Sequence, residues 1–370
     1  MSTSIGQYGA SAANLVLSAG VQELTNAQTT LAWQTSSNGI SSETFAGLGS
    51  SRSSVFNLTP KITQVQAWQT NITNAQNSLT VTATALKQIV SLAQSMATNL
   101  LSIAGTTEAS TVSTVSTEAS STLSQIATVL NTSNGTGYVF AGKTATEAPV
   151  KDPSNVATST TSTDVASQLT SILSSGGTTQ DVLTEATKLM NADNSIFSDT
   201  ISTASSTDGT ASLNTAKNQA TQTITGDGTT SVYGIVATQG SSATSAASDT
   251  STGSPIKDLM RDMMLISGMN GMSSNSTGYS DFVNQLHTSL VNTTNELINM
   301  ETTVGAQQNA LTARSTLLTN TTTALTTQLD NARTTDIAQV AIQSTNVQTS
   351  LKASFMLIAD LKDMTLANYL

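Results

Sequence analysis

The sequence predicts a mainly α protein, in which both chain ends form a long antiparallel coiled-coil helical rod and the middle forms a small mixed α/β central outer domain. Three observations carry this prediction. Near each end, apolar residues recur at alternating spacings of three and four, the pattern of a helical seam. Only 10% of residues are charged and 4% aromatic, which suits long helices with thin cores better than a compact enzyme. The middle of the chain is instead rich in Ser, Thr and Gly, with repeated turn signals.

The first stripe is Leu17, Val21, Leu24 and Leu31, one side of a single amphipathic helix. Such a helix is marginal in water on its own and needs a covering partner. From 62 to 100 a longer seam runs through Ile62, Val65, Ile72, Leu79, Ala83, Leu86, Val90, Ala93, Ala97 and Leu100. Gln69 and Gln76 interrupt it, and Pro60 is placed at the helix start, where a missing N–H costs nothing. After a break at Gly105, Val112, Val115, Ala119, Ile126 and Val129 define a second helix.

Between about 144 and 276 the turn signals are Gly176-Gly177, Asp208-Gly209 and Gly226-Asp227-Gly228. Short helical patterns stand at 165–173 and 182–190, and the run SVYGIVA at 231–237 reads as a strand. The segment 238–254 is polar enough to read as a solvated linker. In DLMRDMMLISGM, at 258–269, Leu259, Met263 and Ile266 share one helical side and read as core filling. The heptad register then returns through Val283, Leu286, Leu290, Leu297, Met300, Val304, Leu311, Leu318 and Leu325. A last stripe, Ile337, Val340, Val347, Leu351, Ile358 and Leu361, mirrors the first. The expected division is 1–40 and 330–370 as terminal assembly helices, 41–143 and 278–329 as the rod, and 144–277 as the exposed outer domain.

Several function classes are excluded at this level. The net charge of -10 is spread without a basic cluster, so no nucleic-acid partner is expected. No run reaches the roughly 18 apolar residues of a membrane span, so no membrane insertion is expected. The first twenty residues, MSTSIGQYGASAANLVLSAG, lack the basic region of a cleaved leader, so export would use an uncleaved signal. With no cysteine and one histidine, His287, neither a thiolate metal site nor an ordinary triad is expected. Asp181, Glu185 and Asp199 are scattered acids without a partner pattern. Gly226-Asp227-Gly228 lacks the series of carboxylates a calcium loop needs and reads as a turn. Trp33 and Trp68 read as packing anchors. The expectation is therefore no catalytic residue, no cofactor and no metal.

Three runs carry a resemblance. SLKASFMLIADLKDMTLANYL, at 350–370, resembles the closing helix of the bacterial flagellin family, including Leu366, Asn368, Tyr369 and Leu370. VGAQQNAL, at 304–311, resembles that family's signature in the C-terminal rod helix, and GYVFAGKTATEAPV, at 137–150, is similar to the exit from the N-terminal rod helices in subunits joining hook to filament. The run SSNGISSETFAGLGSSRSS, at 36–54, departs from the family's basic and paired-aspartate loop, and the N-terminal Asn-Thr-Asn of filament flagellins is missing. The resemblance implies a secreted, extracellular structural subunit of the flagellum, of filament or hook–filament junction type, and not an enzyme. It also implies self-assembly into a helical tube for swimming motility. The implied partners are copies of the chain itself, neighbouring hook, junction and cap proteins, and an export chaperone. In that reading the two terminal stripes are the assembly contacts. The alternative is a secreted coiled-coil adhesin or a needle-type protein of a secretion apparatus.

Overall fold

The computed structural model describes residues 5–367 except 194, 206 and 207. Its elements, in order, are α1 (Ile5–Ser36), α2 (Arg52–Ser102), α3 (Ala109–Leu130), α4 (Thr160–Ser174), α5 (Thr179–Ala192), α6 (Thr210–Asn218), β1 (Thr221–Gly226), β2 (Thr229–Tyr233), α7 (Pro255–Ser267), α8 (Tyr279–Arg333) and α9 (Ile337–Ala367). The fold is mainly helical with one small antiparallel sheet, as the periodicity predicts. Two compact units are present, one holding the residues up to Ala67 and from Leu318 onward, the other Trp68–Leu317.

In the second unit the predicted seams are buried: Ile72, Leu79, Leu86, Ala93 and Leu100 on α2, and Val283, Leu286, Leu290, Leu297, Met300, Val304 and Leu311 on α8. Three contacts fix the direction of pairing. Gln76 Nε2 donates to Thr312 Oγ1 at 3.0 Å, Lys87 Nζ lies 3.7 Å from Glu301, and the Tyr279 hydroxyl donates to the Ile103 carbonyl at 2.8 Å. Partner numbers on α8 fall as those on α2 rise, so the helices are antiparallel. Gln76, an interruption in the apolar pattern, thus supplies a cross-helix hydrogen bond. Pro60 differs from its predicted place: α2 begins at Arg52, so the proline stands inside the helix and removes one backbone bond from its ladder.

The breaks at Gly105 and Gly176-Gly177 fall where expected, the latter turning α4 into α5 with Gly176 at φ 81°. At the start of α5 a capping box closes the free N–H groups, Thr178 and Asp181 accepting from each other's backbone. The Thr178 hydroxyl and N–H also hold the Asp181 carboxyl below its ordinary pKa. Gly226-Asp227-Gly228 is the turn of a hairpin whose first strand, TQTITG, no sequence signal marked. The second strand begins at Thr229 and stops at Tyr233, short of the predicted 237, because Gly234 takes φ 81° and leaves the ladder. Beyond it Ile235, Val236 and Ala237 are buried as loop, with the Ala237 N–H donating to the Phe140 carbonyl.

Helix α7 is buried on every side from Pro255 to Ile266, against α3, α4 and α5. The segment 238–254 is anchored at its two ends, where Thr238, Thr252 and Ser254 are buried, while 242–244, 246, 248 and 249 between them are exposed. The buried hydroxyls bond inward, Thr238 to the Ile201 carbonyl and Thr252 to Asp258 at 2.8 Å. Polar composition signals solvent only when the polar groups lack partners in the chain.

Candidate assembly surface

In the first unit α1 packs against α9. The turn after α1 sets that pairing. Asn38 and Gly39 take positive φ, and a Cβ on Gly39 would meet Ile337 Cγ1 at 3.0 Å and the Thr335 carbonyl at 3.1 Å. The Thr335 N–H donates to the Gly39 carbonyl at 2.7 Å, and the Ser41 N–H to the Arg333 carbonyl at 2.6 Å. Asp336 then caps α9, accepting from the Ala338 N–H at 2.8 Å. The end of α1 therefore lies beside the start of α9, and the two helices run antiparallel.

Of the predicted contact residues, Leu31, Val340 and Leu351 are buried, and Leu17, Val21, Leu24 and Val347 are half-buried. Ile337 and Ile358 are exposed, and the Leu361 side chain lies outside the described residues. On α9 the covered positions are Val340, Ser344, Val347, Leu351 and Ser354, a spacing of four and three. A second set of apolar side chains faces water: Ile342 at 62% exposure, Phe355 at 56%, Met356 at 69%, and Leu357. The sequence reading missed these four because they lie off the heptad stripe. The signal that could have found them is the unbroken run Phe355–Ile358, which is apolar on all sides of a helix. Leu15 and Val16 on α1 and Phe45 and Phe56 near the start of α2 are exposed as well.

The other notable cluster is polar and belongs to the second unit. Arg261 is fully enclosed on α7, yet all of its donors are used: Nε and Nη2 on Asp262 Oδ1 (3.0 and 2.7 Å), Nη2 also on Ser289, and Nη1 on Thr187 Oγ1 and the Thr250 carbonyl. Burial alone would lower the pKa of Arg261, but the charges of Asp262 and Asp258 overcome it and hold the guanidinium above its ordinary value. Burial pushes the Asp262 carboxyl up to about 6, against the pull of Arg261. On the same helix Lys257 Nζ is buried with no hydrogen-bond partner, and burial pushes its pKa down to about 8 despite Asp258 and Asp193. Asp258 accepts from the Ser251 hydroxyl at 2.5 Å and from the N–H and hydroxyl of Thr252.

This network ties α7 to α5, α8 and the 241–253 segment, and it borders a cavity of about 740 Å³. His287 stands elsewhere, beside Gln94, Leu101 and Val291, with no Asp or Glu among the described residues lining that space. Among the described residues no group of three His, Cys, Asp or Glu side chains is placed to hold a metal ion. No described helix is long and apolar enough to cross a membrane.

No family model and no curated protein matches the chain. Among solved structures, one provisionally described as a flagellar hook-associated protein from Vibrio parahaemolyticus is similar at 13% identity and a TM-score of 0.49, covering 76% of this chain and 96% of that one. A likeness that remote leaves the functional reading to rest on the helices themselves.

Proposed function

We propose that the chain is a structural subunit of the bacterial flagellum, of filament or hook–filament junction type, that self-assembles into a helical tube through its terminal helices. The observation that carries this reading is α9, which has apolar residues both on the side covered by α1 and on the side left in water. Exposed apolar patches beyond single scattered residues are characteristic of surfaces that another protein covers. In a tube of identical subunits, one patch meets a different patch on the next copy and the rotation never closes into a ring. The resemblance of 350–370 and 304–311 to flagellin-family helices supports the same assignment and its extracellular setting. Hook, junction or cap proteins would adjoin the ends of such a tube, and an export chaperone would cover the apolar termini before assembly.

Electron microscopy and sedimentation of the purified chain test this directly. Tubular polymers from the full chain, and none from a chain lacking 340–370, are expected. Discrete monomers or trimers of the full chain under all polymerising conditions would refute the proposal and favour the adhesin alternative.

A further inference from the structure

We propose that the cavity between α7, α8 and the 241–253 segment is a binding site for a neutral, hydroxyl-rich ligand, an oligosaccharide chain. The proposal stands apart from the assembly reading, because every lining residue belongs to the second unit. At about 740 Å³ the space has the size of a small-molecule site, but its walls differ from the usual apolar lining. Leu183, Ala246 and Pro255 are its aliphatic contributors, and hydroxyls and amides make up most of the remainder.

The main wall is one face of α8, where Gln285, Ser289, Asn292, Glu296, Asn299 and Thr303 all line the space. Their spacing alternates between four and three, the same repeat as the apolar seam but entirely polar. Such a repeat keeps one stripe in line along the helix, and at 1.5 Å per residue this stripe is roughly 27 Å long. Its length suits a chain of rings better than a single ring.

The ligand class follows from which groups are already engaged. Arg261 spends its donors on Asp262, Thr187, Ser289 and the Thr250 carbonyl, so it has none for an incoming anion. Asp258 accepts from Ser251 and Thr252, and Glu296 accepts from the Ser241 hydroxyl. Among the described lining residues a phosphate or carboxylate ligand would thus find no free cation, and an apolar ligand would find few carbons. The side-chain amides of Gln285, Asn292 and Asn299 make no hydrogen bond to the chain among the described residues; Asn292 and Asn299 are exposed, so the space is an open groove whose amides face water. Each amide offers two donors and an acceptor, the complement of a pyranose hydroxyl or acetamido group. Among the described residues no aromatic side chain lines the groove, so affinity would come from hydrogen bonds and be weak.

Sugars of this class occur both in a cell's own envelope and on surfaces it meets, and two probes separate these sources. A linear N-acetylglucosamine oligomer stands for the first and a linear mannose oligomer for the second. Saturation-transfer NMR on the full-length chain, with each oligomer at about 10 mM, covers the weak range. Transfer to ring protons of at least one oligomer is expected, weakened about tenfold or more in the double variant Asn292→Ala, Asn299→Ala, which removes two neutral hydrogen-bonding groups. Gln285→Ala alone, with helicity checked by far-UV dichroism, gives a second reading should the double variant lose structure. No transfer from either oligomer, undiminished transfer in folded variants, or displacement of the sugar by inorganic phosphate would overturn the proposal.

Discussion

The two units solve opposite problems. The one containing α1 and α9 leaves Ile342, Phe355, Met356 and Leu357 in water, whereas the one containing α7 encloses Lys257, Asp258, Arg261 and Asp262. Apolar surface in water is a demand for a partner, while buried charge needs its partner already in place. Inside the second unit the network of Arg261, Asp262, Thr187 and Ser289 meets that need within one chain. On the proposed reading the terminal helices would be finished by other subunits, whereas the Arg261–Asp262 network needs none.

The contrast can be tested from its strongest expectation downwards. Leu351→Asp puts a charge into the covered α1–α9 stripe, and it should abolish polymerisation while leaving the second unit folded. Sedimentation together with thermal unfolding reads both, and normal polymers would show that the stripe is not needed. Arg261→Met should do the reverse, destabilising the second unit by about 3 to 5 kcal/mol, because Asp262 is then buried without its cation. Denaturant unfolding measures this, and an unchanged midpoint would mean that the network adds nothing.

Lys257→Met should stabilise the same unit near neutral pH by roughly 3 kcal/mol, since burial lowers that pKa from 10.5 to about 8. The sign follows from proton linkage. A base with a depressed folded pKa makes stability rise with pH between about 8 and 10.5, and the variant should lose that rise. Asp262, whose folded pKa is raised from 3.8 to about 6, contributes stability below pH 3.8 that is lost as pH climbs through 6. Thermal midpoints across pH would expose both limbs, and a flat profile in the wild-type chain would contradict the two assignments. The smallest effect belongs to Met356→Ser, which should change monomer stability by no more than about 0.5 kcal/mol because the side chain is exposed. A raised critical concentration for assembly, with unchanged melting, is the result that would tie this surface to the polymer.

Much of the fold was legible because heptad spacing is a strong signal over long stretches. The seams through Ile72, Leu79 and Leu86 and through Leu290, Leu297 and Val304 needed only their period to be read. Strand β1 was not legible, since TQTITG carries a single large apolar residue, and Ile224 faces solvent. The ends of segment 238–254 were not legible, because Thr252 and Ser254 are buried through hydrogen bonds to one carboxylate and to the backbone, which composition cannot reveal. At the candidate surface, the spacing of Val340, Val347 and Leu351 found the stripe that α1 covers. Spacing alone could not tell whether Ile337 and Ile358 are covered by the chain itself, and they are not.

The bridge between Ile40 and Thr334 carries a kinetic consequence. It joins positions separated by roughly 290 residues, and closing so long a flexible loop costs about 5 kcal/mol in chain entropy beyond a constant. Local contacts such as the α4–α5 hairpin and the β1–β2 turn face no comparable cost, and each shortens the loop that remains. The order of events is then from the middle outward, with α1 and α9 meeting last. A newly released chain would pass through a period in which its central region is formed while both ends are still unpaired and open to a neighbour.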